Sequence, residues 1–321
     1  MTESTSGQAE AYQLTAFRDG AAIFASAREV VSVCGADSRS FLQSLVSQDV
    51  SQLAAGSAVD ALLLQPQGKL IAAMRMFVVD EEHWLLVCDA AIASPLLEGL
   101  ARFKIRVKVD LELRADLVVL CVRGPRALEV SQYAARSQSR MVDHGVVIVA
   151  DWDGTAGIDW IGPRALLDSA QHEMLALGAT AVSDAAYETA RIEAGVLVQG
   201  ADIDDRTIAQ EAQLELNAVS FTKGCFVGQE LVCRIDSRGH VNRFVRVVRA
   251  IDESTRFSVG SVVMYDDATV GEVTSAAPLA AVGLATIRRT VEPSAEVVVA
   301  TALAVVEPRL PSERTNSPHR R

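Results

Sequence analysis

Hydrophobic positions along this chain switch repeatedly between a period of two and a period near 3.6. That alternation predicts short strands interleaved with single helices. Val30 to Cys34 reads as a buried strand ending at Gly35, and Asp37 as the N-cap of a helix whose apolar face is Phe41, Leu42, Leu45 and Val46. Ala61 to Leu64, the turn Pro66-Gln67-Gly68 and Lys69 to Val79 read as a hairpin, and Trp84 to Cys88 as the next strand. Ser94-Pro95 supplies an N-cap and first-turn pair for a helix carrying Leu96, Leu97, Leu100 and Phe103. Arg106 to Leu113, Leu117 to Val122 and Val146 to Ala150 follow as strands, with helices over about 164–177 and 184–194.

After Asn242 the texture changes to short valine-rich runs divided by Gly and Asp turns, which predicts a small all-β barrel or sandwich. The expected class is α+β: two domains of antiparallel sheet plus helices, then a C-terminal β-barrel. We divide the chain into 14–52 plus 118–242 as a discontinuous first domain, 53–117 as a second, and 243–308 as the barrel. Residues 1–13 and 309–321 carry too little apolar surface to order themselves and are expected to be disordered.

Composition narrows the function. Half of the residues are hydrophobic but only 5% are aromatic, so the core is built mainly from Ala, Val, Leu and Ile. A net charge of -11 repels polyanions and disfavours general nucleic-acid binding. The five cysteines are widely spaced without a Cys-x-x-Cys, which argues against a disulfide scaffold or zinc ribbon and for a reducing, cytoplasmic setting. No stretch approaches the roughly 18 apolar residues of a membrane helix, and the polar start does not read as a signal peptide. No metal site, nucleic-acid partner or membrane partner is expected, and nothing demands more than a monomer.

The densest chemistry lies in Lys223-Gly224-Cys225-Phe226-Val227-Gly228-Gln229-Glu230. Gly224 and Gly228 allow positive φ or close backbone approach, and Lys223 lies near Cys225, where a cation would activate a thiol. Gln229 and Glu230 are expected to pin the loop by bonding backbone groups. Arg234, Arg238 and Arg243 join Lys223 as a basic cluster in an otherwise acidic chain.

This signature and its flanks resemble the YgfZ-type folate-binding proteins, in the superfamily of the glycine-cleavage aminomethyltransferase. The likeness rests also on Arg191-Ile192-Glu193-Ala194-Gly195, Gln210-Glu211, Asn217 to Phe221, Gly35-Ala36-Asp37, Gln48-Asp49-Val50 and Pro66-Gln67-Gly68-Lys69. It implies a ring of three domains around a central pocket that binds tetrahydrofolate or a derivative. It further implies a role in iron–sulfur cluster assembly or repair, with assembly proteins or cluster-dependent clients, such as tRNA-modifying enzymes, as partners.

On that resemblance Glu193 would accept the donors of the pterin ring, although a surface glutamate is the ordinary alternative. The arginine forks would bind the folate's glutamate carboxylates. Cys225 remains open between a redox or cluster-related thiol, a nucleophile needing a base such as His240, and a buried small hydrophobe. The family's transferases carry an acid in a pattern Asn-Ala, five residues, Asp. Here the matching stretch, Asp89 to Leu96, puts Leu96 at that position, and leucine cannot exchange a proton. Folate binding without aminomethyltransferase turnover is therefore expected; a folate-dependent one-carbon transferase or demethylating enzyme is the alternative. The flavoenzyme relatives are set aside because no Gly-x-Gly-x-x-Gly occurs.

Overall fold

The structure is a computed structural model that describes residues 3–132, 140–142, 145–152 and 154–310; the side chains of 3–9, 140–142 and 238 lie outside the description. Its strands form a six-stranded sheet, a five-stranded sheet and a closed six-stranded barrel, with helices against the two sheets, an α+β architecture as expected.

The five-stranded sheet is antiparallel and draws on Arg28–Cys34, Ala58–Leu64, Leu70–Val78, His83–Asp89 and Asp110–Leu113. Leu70–Val78 alternates buried and half-buried positions, so one face packs and the other is available to line a site. Helices Ser38–Leu45 and Ala90–Ala101 cover this sheet with Phe41, Leu42, Leu45, Ala93, Leu96 and Leu100. The six-stranded sheet includes Ala22–Ala25, Leu117–Arg123, Gly145–Val149 and Gly157–Pro163. The barrel spans Arg243–Ala250 to Ala302–Glu307.

Several boundaries differ from the sequence reading. Strand Arg28–Cys34 and its following helix belong with the second sheet, because Arg28–Cys34 pairs with His83–Asp89 and Asp110–Leu113. The insertion therefore opens at Arg28 rather than residue 53. The helix expected to start at Ser94-Pro95 starts at Ala90, directly off the strand, and contains Pro95; the missing N–H costs it one backbone bond. The strand expected over 106–113 is confined to Asp110–Leu113, since Arg106 turns the backbone to φ 57°.

Residues 1–13, expected to be disordered, largely fall in a helix over Glu3–Asp19. Phe17 stacks on Trp152, and Gln13 accepts bonds from Ser183, so a few contacts hold a polar helix. Arg309, assigned to a disordered tail, is buried and donates to the carbonyls of Gly195 and Ala212. The rest of that tail, 311–321, lies outside the described residues.

The barrel is fastened to the first domain by hydrogen bonds between its Thr274 and Ser275 and a buried ion pair of that domain. Arg191 is 3.0 Å from Asp202, whose other oxygen accepts from Thr274, while a second Arg191 nitrogen donates to Ser275. In the Arg-x-Glu-x-Gly run, then, the arginine is structural. Gly195 is structural too: at φ 69° a Cβ there would sit 2.1 Å from the Arg309 carbonyl oxygen.

Candidate functional site

A cavity of about 270 Å³ lies between the two sheets. Asp60, Arg75 and Asp89 line it from the five-stranded sheet, Arg123 and Trp152 from the other side, and the segment after helix Asp184–Glu193 from a third. Leu62, Met74, Val87, Leu197 and Leu214 add apolar wall.

Its electrostatics are governed by arginines from distant strands. Arg123 (2.5 Å) and Arg28 (2.8 Å) both bind Asp159, which is 2% exposed. Burial alone would raise the Asp159 carboxyl, but Arg123 and Arg28 overcome that penalty and hold it at about 2. Arg75 grips Asp60 through two nitrogens at 2.8 and 3.0 Å, and its third donates to the Val149 carbonyl, tying the sheets together across the cavity.

Asp89 is placed differently. Its Oδ2 accepts the Gln199 backbone N–H at 2.7 Å, while Oδ1 stands 3.9 Å from Arg28, beyond hydrogen-bond reach. Burial raises its pKa, against the opposing pull of Arg28. Gln199 is itself fixed, its side chain accepting from Ala73 and donating to Ile71.

The sequence-selected residues do not gather here. Glu193 is absent from the lining; a nitrogen of Arg18 bridges its two oxygens at 3.2 and 3.4 Å. The basic cluster expected to hold carboxylates is dispersed. Lys223 is buried, with its ammonium bonded to the carbonyls of Gln43 (2.8 Å), Val46 (2.7 Å) and Gln48 (2.9 Å). Burial lowers its pKa to about 8. Its charge is thus turned inward, whereas Cys225 is exposed and Cys233 half-buried.

Arg234 pairs with Glu230 on the exposed helix Gln229–Arg238, so Glu230 holds a side chain rather than the loop backbone expected of it. Gln229 bonds the loop through its backbone N–H to the Phe226 carbonyl. Arg243 pairs with Glu211 at 2.9 Å and lines a separate cleft of about 650 Å³ beside the barrel. The Arg238 side chain lies outside the described residues.

Gly228 has φ 80°, and a Cβ there would meet the Gln65 carbonyl at 2.5 Å. Gly224, paired with it in the sequence reading, faces open space without positive φ. Leu96 is fully buried among Val31, Leu86 and Leu100 and takes no part in the lining. Among the described residues no cluster of three or more His, Cys, Asp or Glu is arranged to hold a metal ion, and no helix is long and apolar enough to cross a membrane.

Sequence reasoning passed over Arg28, Arg75 and Arg123. The only local signal was a charge inside an apolar strand, as at Arg75 in Leu70–Val78.

The walls combine apolar surfaces with carboxylates, and the volume of about 270 Å³ falls just below the roughly 300–1,000 Å³ common for small-molecule sites.

Comparisons with known proteins agree with this architecture. Residues 4–146 match the family described as the GCVT N-terminal domain. An aminomethyltransferase from Xanthomonas oryzae pv. oryzae is 27% identical over 249 residues, covering 72% of this chain and 68% of that protein. A Haemophilus influenzae protein described as uncharacterized is 25% identical over 235 residues, 73% and 74% of the two chains. The crystal structure of glycine cleavage system aminomethyltransferase T from Bartonella henselae superposes with a TM-score of 0.83 at 19% identity, covering 94% of this chain and 89% of that one. At that identity the structural likeness establishes the fold. Over most of its length, then, this chain is similar to the glycine-cleavage aminomethyltransferases, and it shares their fold.

Proposed function

We propose that this chain binds tetrahydrofolate or a derivative in the cavity between its sheets, without aminomethyltransferase turnover. In this reading it serves iron–sulfur cluster assembly or repair, after the YgfZ-type proteins that its signature resembles. The reading of lost turnover rests on the register of the resemblance, which puts Leu96 where an acid is called for; leucine offers no proton, and the structure buries it in the core outside the cavity lining.

When bound, a reduced folate supplies ring nitrogens that can carry a one-carbon unit. The chain's part is to enclose the ring, with Val87, Leu62 and Leu197 excluding water and the cavity carboxylates meeting its donors. Glu193, which the resemblance assigns to the pterin, could serve only once Arg18 releases it. Support for the cluster role comes from Cys225, an exposed thiol on the signature loop.

Calorimetric titration with tetrahydrofolate tests the ligand: saturable heat is expected, and its absence removes the reading. Complementation with Cys225→Ala, in a strain that depends on cluster enzymes, tests the supporting role. A second reading, a folate-dependent one-carbon transferase, is favoured by Asp89, a cavity carboxyl whose burial helps it keep a proton. Methylene-transfer turnover by the purified protein would select it.

A further inference from the structure

We infer that the exposed run Arg102-Phe103-Lys104-Ile105-Arg106-Val107-Lys108 is a docking surface for a short acidic protein segment that carries apolar side chains between its carboxylates. This surface lies outside the cavity lining, and its use does not depend on folate binding.

Four cations and no acid fall within these seven residues, in a chain whose net charge is -11. All four are exposed. Lys104 pairs with Asp110 at 3.2 Å, in full contact with solvent, and among the described residues no ion pair holds Arg102, Arg106 or Lys108. The apolar positions between the cations are not buried in the core either. The hydrophobic period assigns Phe103 to the inner face of helix Ala90–Ala101, but that helix ends at Ala101. Phe103 is left 39% exposed and Ile105 72% exposed.

The run is also held in shape. Phe103 and Lys104 donate their backbone N–H groups to the carbonyls of Leu100 and Ala101 at 3.0 and 3.1 Å. At the far end the Lys108 N–H donates to the Asp37 carboxylate at 2.7 Å, and between these anchors Arg106 takes φ 57°. A surface fixed beforehand loses less conformational freedom when a partner docks.

Charge complementarity selects the partner. Fully extended, seven residues span at most about 25 Å. A membrane or a nucleic acid carries its negative charge well past that length and would meet the acidic remainder of the chain, beginning with Asp110 and Glu112 on the next strand. A short acidic segment can stay on the cations, while its apolar side chains cover Phe103 and Ile105.

The probe is a seven-residue peptide of alternating glutamate and leucine, titrated calorimetrically into the full chain at low salt. Saturable binding is expected. A glutamate–serine peptide of the same length should bind at least about 10-fold more weakly, because it lacks the apolar contact. Arg102→Glu/Arg106→Glu should weaken the leucine peptide by more than about 10-fold, and Phe103→Ser by about 5-fold. Thermal melts of these variants should match wild type, since none of the three side chains is buried.

No saturation up to about 1 mM leucine peptide overturns the inference. So does equal binding of the two peptides, or of the leucine peptide by wild type and the double variant. Tighter binding to equimolar phosphatidylserine–phosphatidylcholine vesicles, or to oligouridylate, would give the surface to a membrane or a nucleic acid instead. Sedimentation at rising concentration covers the remaining case: self-association abolished by the double variant would make the occupant a second copy of this chain, and the acidic-segment assignment would fall.

Discussion

Gly68 and Gly228 meet back to back, each at φ 80°, with the Cα of Gly68 only 3.1 Å from where a Cβ on Gly228 would stand. The hairpin turn and the signature loop, which are far apart in sequence, thus form one packed joint. Gly228→Ala would drive its methyl into the Gln65 carbonyl and the Leu64 side chain in a disfavoured backbone region. A loss of about 3 kcal/mol is expected in urea denaturation, whereas Gly224→Ala should change stability by less than about 0.5 kcal/mol.

Lys223 binds the end of helix Ser38–Leu45 and the residues after it to the signature loop through three carbonyls. Lys223→Met keeps the length of the side chain and strands those acceptors. It should cost about 3 kcal/mol. Equilibrium unfolding measures the loss, and a change under about 1 kcal/mol would mean that water replaces the ammonium.

Asp159 makes the fold acid-sensitive. Its folded pKa of about 2 lies below the ordinary 3.8, so its contribution is complete above pH 3.8 and disappears as pH falls toward 2. The contribution is about 2 kcal/mol. Urea midpoints taken between about pH 2 and 6 should decline over that window. Asp159→Ala should lose about 3–5 kcal/mol at neutral pH, because Arg123 is left buried and uncompensated.

Leu96→Asp cannot restore an acid to the cavity, because position 96 faces the core beneath the five-stranded sheet. A carboxylate there is buried without a partner. The variant should be destabilised by more than about 3 kcal/mol. Circular dichroism melts and a methylene-transfer assay together check this: the expected result is a lower melting temperature with no gain of turnover.

Elements with a strong apolar period were legible in the sequence. Phe41, Leu42 and Leu45 mark the helix Ser38–Leu45, and the valine runs after Asn242 mark the barrel. Partners far apart in sequence were not. Strand Arg28–Cys34 gives no local sign that it pairs with His83–Asp89 rather than with the strands of the first domain. The helix Gln229–Arg238 has too many charges for a clear apolar period, so the sequence pattern does not mark it. The site was misread for a related reason. A motif marks residues that are specially constrained, and Lys223, Gly228 and Arg191 prove constrained by packing. The cavity's arginines and Asp89 come together only once the two sheets face each other.

The five-stranded sheet has all its strands between Arg28 and Leu113, inside a loop of the other sheet. During synthesis it can close as soon as Leu113 emerges from the ribosome. Ala22–Ala25, made earlier, must wait beside it for Leu117–Arg123, and for Thr180–Ala181 on its other edge. The inserted module is thus positioned to mature first and act as a template, leaving the earliest-made strand to find its neighbours only after a sheet made later has closed.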